Sequence, residues 1–205
     1  MFYTFVNPMF DDSKYAYGES MEDCRIGKAK YCKGCGRPIS MLEWLPPYEI
    51  NISKKELGDF IWGGHVGFII SQNFKEKYET MGLDGLVDFQ KVSLFYKGVD
   101  QSKRYYYPKI PLINAFVDLN NIHFEERDET CDVCQKGGNI ISAISGVNFL
   151  EPNKIDKDIF FTTSLGQADI FISEKFKNFL YENNFSNAEI INSSNYVWDS
   201  LNPTM

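Results

Sequence analysis

Histidine is nearly missing from this chain, two among 205 residues, and no phosphate-binding loop, nucleophile elbow or histidine pair of the zinc-hydrolase kind is present. No converging set of titratable groups replaces them, so the chain is expected to work by binding and not as an enzyme. Positive charge is also short, with 21 Lys and Arg against 28 Asp and Glu and a net charge of -7. The lysines and arginines do not gather in sequence, so a nucleic-acid backbone would be repelled by most of the surface. Long hydrophobic runs are lacking too. The longest, "IWGGHVGFII" at 61–70, is far short of the ~20 residues a membrane helix needs. The opening "MFYTFVNPMFDD" has no basic start, and Asn7 and Pro8 cut its apolar run, so no secretory signal is read there. Together these absences predict a cytoplasmic protein with reduced thiols and no membrane partner.

What is present favours a core. Hydrophobic residues make up 43% of the chain, and 17 Phe and 12 Tyr supply large rings to fill the interior, as expected for a single domain over 1–205. Four of the five cysteines fall into two pairs, Cys32 with Cys35 in "YCKGCGRPIS" and Cys131 with Cys134 in "TCDVCQKGGN". Two thiolates three residues apart can bite one tetrahedral ion, because the turn between them aims both sulfurs at a common point, and two such turns complete the set. Zinc suits four soft thiolates without redox chemistry. Gly34 and Gly36 are expected to free the backbone where its amides approach the sulfurs. A thioredoxin-type motif would want one such pair at a helix start, whereas Pro38 and Gly137–Gly138 suggest turns. Iron–sulfur ligation by the same four residues and metal-free buried thiols remain as alternatives. Cys24 reads as a small buried apolar residue. His65 and His123 are at no ligand spacing from a cysteine and read as structural.

The chain also echoes itself. "GFIISQNFKEKYETMGLDGL" (67–86) and "DIFISEKFKNFLYENNFSNA" (169–188) each run from a short apolar strand through Ser and a helix of about ten residues to a turn. Ser71 and Ser173 are the helix N-caps, and Gly82 and Asn184 take the left-handed position past each helix, followed by Leu83 and Phe185. The two segments are 102 residues apart and the cysteine pairs 99. This predicts an α+β fold of mixed sheets and short helices in two degenerate halves, about 24–100 and 125–198, joined by the cysteine knuckles. Elsewhere, "MLEWLPPYEI" reads as a loop or edge segment, and Ser53 with Glu56 as a capping box for a short helix. Residues 87–97 and 103–119 are rich in strand formers, the second confined to an edge or split by Pro108 and Pro111. The C-terminal "EIINSSNYVWDSLNPTM" adds one strand and a loose tail.

With "CKGCG" at 32–36, "KYETMGLDGL" before the middle strands and "DIFFTTSLGQADIFISEKFKNFL" near the end, the chain resembles the double-CXXCG motif proteins over some 170 residues. "CDVCQKGG" departs from the pattern by having no glycine directly after Cys134. The resemblance implies an immunity protein of a polymorphic toxin system, which binds a cognate toxin and blocks it. For such a partner the acidic run Glu125, Glu126, Asp128 and Glu129 is the expected steering surface toward a basic toxin. The competing reading is a zinc-ribbon-like nucleic-acid binder. Lys103, Arg104 and Lys109 surround Tyr105, Tyr106 and Tyr107, a mixture able to stack bases, although strand alternation sends Tyr105 and Tyr107 to one face and Tyr106 to the other.

Overall fold

The computed structural model describes residues 1–8, 14–65 and 67–201. In chain order its strands and helices are β1 (Phe2–Val6), β2 (Gly18–Ser20), β3 (Glu49–Ile52), β4 (Phe60–Trp62), β5 (Phe68–Ser71), α1 (Gln72–Thr80), β6 (Val87–Tyr96), β7 (Val99–Asp100), β8 (Tyr105–Lys109) and β9 (Leu112–Ile113). There follow β10 (Ile122–Phe124), β11 (Ile141–Ser145), β12 (Ile159–Thr162), β13 (Gly166–Ser173), α2 (Glu174–Glu182), β14 (Glu189–Asn192) and β15 (Val197–Asp199). The fold is α+β, built on two large sheets. A seven-stranded sheet runs β2-β3-β6-β8-β5-β4 with β7 hairpinned onto β6, and a five-stranded sheet runs β14-β1-β13-β12-β9. A small third sheet, β10-β11-β15, lies on the second.

The short apolar runs become strands because both of their faces are buried. Phe60 and Trp62 of β4, and Phe68 and Ile70 of β5, point into a central core, while Ile61 and Ile69 point into a second one with Trp44, Ile50 and Leu94. In the other sheet Ile159, Ile170 and Ile172 join the central core, and Phe160 and Phe171 face a third one under the small sheet. Both helices lie in the central core, where Phe74 and Tyr78 of α1 meet Phe176 and Phe179 of α2.

The two helices begin alike. Ser71 and Ser173 are the N-caps, their hydroxyl oxygens accepting from the backbone N–H of Phe74 and of Phe176 at 3.1 Å. Each serine also donates to an aspartate at the start of the preceding hairpin, Ser71 to Asp59 at 2.7 Å and Ser173 to Asp158 at 2.6 Å. The second oxygen of each aspartate then holds a distant segment: Asp158 accepts from the N–H of Asp84 and Asp59 from that of Ser186, both at 3.0 Å. Gly82 and Asn184 close the helices at φ +60 and +51.

The two large sheets share a strand order. β1 lies between β13 and β14, and β8 occupies the same slot between β5 and β6, so that β6-β8-β5-β4 and β14-β1-β13-β12 have one order. Tyr106 of β8 pairs with Ile70, and Tyr3 of β1 with Ile172. Lys75 of α1 stands 5.4 Å over the ring of Tyr106, and Lys177 of α2 stands 4.4 Å over that of Tyr3. Sequence comparison of the strand-helix segments alone misses this, because the strand that completes each unit lies outside it.

Three expectations are corrected. Ser53 starts no helix: its hydroxyl oxygen accepts from Tyr17 N–H, tying the loop after β3 to the segment before β2. β8 is an inner strand despite Pro108, because its pairing with β5 covers only Tyr105 and Tyr106 and its pairing with β6 is broken by an irregularity between Val87 and Gln90. Pro111 does split the segment, since β9 starts after it. The C-terminal stretch forms two strands and not one, separated by a turn at Ser193–Asn195, and residues 202–205 of the expected tail lie outside the described residues. No described helix is long and apolar enough to cross a membrane.

Candidate metal centre

Each cysteine pair sits on a tight turn closed by its own backbone. Cys32 N–H donates to Arg37 C=O at 2.8 Å and Gly36 N–H to Cys32 C=O at 2.9 Å; in the second turn Cys131 N–H donates to Lys136 C=O at 3.2 Å and Gln135 N–H to Cys131 C=O at 2.8 Å. The first cysteine of each turn accepts an amide two residues on, Gly34 N–H to Cys32 Sγ and Val133 N–H to Cys131 Sγ, both at 3.4 Å. The residue after the second cysteine has positive φ in both, Gly36 at +71 and Gln135 at +56. Gln135 therefore adopts the backbone that glycine adopts in the first turn, and the missing glycine leaves the turn's shape unchanged. Gly34 has a different reason from the one its sequence context suggests. A Cβ there would come within 2.7 Å of Val133 Cγ2, so its smallness makes room for the opposite knuckle.

The two turns face each other. Cys32 Sγ lies 3.8 Å from Cys131 Sγ and Cys35 Sγ 3.7 Å from Cys134 Sγ, and all four sulfurs are within 4.8 Å of one another. A tetrahedral ion with Zn–S bonds of about 2.3 Å requires sulfurs about 3.8 Å apart, so the donor set and its spacing are geometrically suited to a structural metal. Cys32 and Cys134 are buried, Cys131 half-buried and Cys35 exposed. The Cys35 amide, with that of Gly34, holds the Cys32 thiol at about 6, and the Cys134 amide lowers that of Cys131. Burial pushes the Cys134 thiol up. The turn amides thus favour the thiolate at Cys32 and Cys131, and a cation is what would draw the proton from the buried Cys134.

A cation follows each knuckle at the same place. Arg37 Nη1 donates to Lys136 C=O, and Lys136 Nζ donates to Pro38 C=O, both at 3.0 Å, so each crosses to the other turn. Lys136 is only 7% exposed, and this burial lowers its pKa while charge on Cys134 raises it. A divalent ion with four thiolates carries two negative charges in excess, and Arg37 with Lys136 places two positive charges beside it. Neither cation was singled out from the sequence, yet both stand two positions after the second cysteine of their pair, which is the signal that identifies them.

The other expected site residues fall elsewhere. Cys24 lies outside the cluster, half-buried against the second core, and neither histidine joins the sulfurs. Glu125, Glu126, Asp128 and Glu129 are all exposed beside the second knuckle. Asp128 is bound at 2.9 Å to Arg37, and the Glu129 carbonyl accepts from the same guanidinium at 3.5 Å, so this end of the run braces the knuckles. Tyr105 is buried and donates to Gly58 C=O, Tyr106 donates to Gln72, and Tyr107 packs on Trp44. All three rings are thus engaged within the protein, Tyr105 buried and Tyr106 and Tyr107 half-buried. No protein-family model matches the chain, and a search of curated proteins returns no match.

Proposed function

We propose that this protein is a zinc-stabilised immunity protein, which acts in the cytoplasm and neutralises a bacterial toxin by binding it, with no catalysis of its own. The zinc part of the reading is carried by the four sulfurs within 4.8 Å of one another. Cys32, Cys35, Cys131 and Cys134 would hold the ion, which supplies cross-linking and leaves no open ligand position for chemistry. The immunity part rests on the resemblance to double-CXXCG proteins in the first knuckle and the two strand-helix segments. The two halves are degenerate copies clamped at their knuckles. In support of this, matching hydrogen bonds recur in each half at the knuckle, the capped helix and the aspartate clasp, and the shared strand order extends the copies back to Phe2 and Tyr105.

Metal analysis of protein purified without chelator is expected to give about one zinc per chain, and none would overturn the metal reading. Co-expression with a toxin domain encoded beside this gene tests the rest: survival together with a stable complex of the two purified proteins supports it. Equal killing with and without this protein, and no complex, would sink the immunity reading while leaving the zinc intact.

A further inference from the structure

A cleft of about 320 Å³ opens where the segments flanking the first knuckle meet β8, β9 and the hairpin β12-β13. Its floor is apolar, from Leu112 and Phe161, and Met41, Leu42 and Val87 remain 47%, 42% and 51% exposed along its walls. Its rim is basic in an acidic protein. Lys28, Lys30 and Lys109 line it against a single acid, Glu43. Lys109 shares its charge loosely between Glu43 at 3.6 Å and Asp88 at 3.7 Å, and among the described residues neither Lys28 nor Lys30 has an ion-pair partner. The wall that bears these lysines is fixed by the fold: Lys30 N–H donates to Ser40 Oγ at 2.7 Å and Met41 N–H to Gln167 Oε1 at 2.6 Å.

We propose that this cleft binds a small organic anion with an apolar body, a carboxylate carrying an alkyl or aryl group of about ten heavy atoms, which is the size the low end of ligand cavities accepts. Exposed Met41, Leu42 and Val87 cover the apolar part, and Lys28 and Lys30 take the carboxylate. An extended peptide fits less well. The backbone N–H groups of Met41 and Phe161 are already bonded, to Gln167 and to Pro111 C=O, so they offer no ladder for a further strand to join. None of the four clustered cysteines lines this site, and it does not depend on the proposed immunity role.

Calorimetric titration of the full, metal-loaded chain with decanoate, decanol and decylamine tests it. Decanoate is expected to bind best, and the double variant Lys28→Glu, Lys30→Glu to weaken it tenfold or more with melting temperature and metal content unchanged. Leu42→Asp should weaken decanoate as well, by placing a carboxylate against the ligand's apolar body. The proposal is overturned if decanoate fails to bind up to millimolar concentration, if the charge-reversed variant binds it as well as the parent, or if decylamine binds equally. Binding of an acidic peptide such as acetyl-Asp-Leu-Phe-Glu-amide in place of decanoate would overturn the ligand class.

Discussion

The two cysteine turns match bond for bond, whereas the sheets behind them differ, seven strands on one side and five with a small extra sheet on the other. The same contrast holds at the aspartate clasp. Asp59 accepts from Ser71 Oγ, Asn73 Nδ2 and both the N–H and hydroxyl of Ser186, while Asp158 accepts from Ser173 Oγ and Asp84 N–H and has Lys175 at 3.6 Å. Groups that meet across the middle of the molecule stay alike because each one's geometry is set by its counterpart. Strands at the outer edges face no such counterpart and can be added, shortened or covered independently.

If both turns serve one ion, breaking either must do the same large damage. Cys32→Ser and Cys131→Ser are each expected to abolish zinc retention and lower the melting temperature sharply, since structural zinc supplies on the order of 10 kcal/mol of apparent folding energy. A turn that tolerated the change, judged by metal content and calorimetry, would contradict the shared site. Acid should weaken zinc binding for both alike, because protons compete for the thiolates.

The two aspartate clasps should respond unequally. Asp59→Ala is expected to cost about 3 kcal/mol and Asp158→Ala about 2 kcal/mol, because three half-buried donors lose their acceptor in the first and one in the second. Burial acts to raise the pKa of Asp59, but the Ser186 N–H, the Ser71 and Ser186 hydroxyls and the Asn73 amide outweigh it and hold it below the usual value. Its contribution to stability is therefore present above the unfolded-state pKa and lost as pH falls through the lower folded one. Denaturant titrations between neutral and acid pH should show a shallower acid limb for Asp59→Asn than for the parent chain.

A smaller test exchanges the residues that follow the second cysteine of each knuckle. Gly36→Gln is expected to cost about 1 kcal/mol, since a side chain at positive φ is strained even though nothing lies within 4 Å of the new Cβ. Gln135→Gly should gain a few tenths of a kcal/mol, the relief of strain being partly offset by the freer unfolded chain. Thermal melts of both variants check the sign. Cys24→Ser, outside the cluster, is expected to cost under about 1 kcal/mol and leave zinc content unchanged; metal loss would show that Cys24 bears on the site.

Local chemistry alone was enough for several features of this chain. The paired cysteines, the caps Ser71 and Ser173, the left-handed Gly82 and Asn184 and the alternating faces of Tyr105, Tyr106 and Tyr107 each depend on a few neighbouring residues, whose spacing dictates what they can bond or where they point. The same local reading placed a helix at Ser53 and expected Pro108 to confine its strand to an edge or split it, because it had no way to see Tyr17 N–H waiting for the serine or the broken ladder opposite the proline. The convergence of the four sulfurs was legible as an expectation, but other long-range relations required the tertiary structure: Arg37 and Lys136 crossing between turns, Asp59 and Asp158 each holding a distant segment, and β1 and β8 taking equivalent places in the two large sheets. Those contacts depend on which strand lies beside which. Strand order is decided by how whole faces of Phe, Ile and Tyr bury one another, an energy distributed over the core that no short stretch of residues contains.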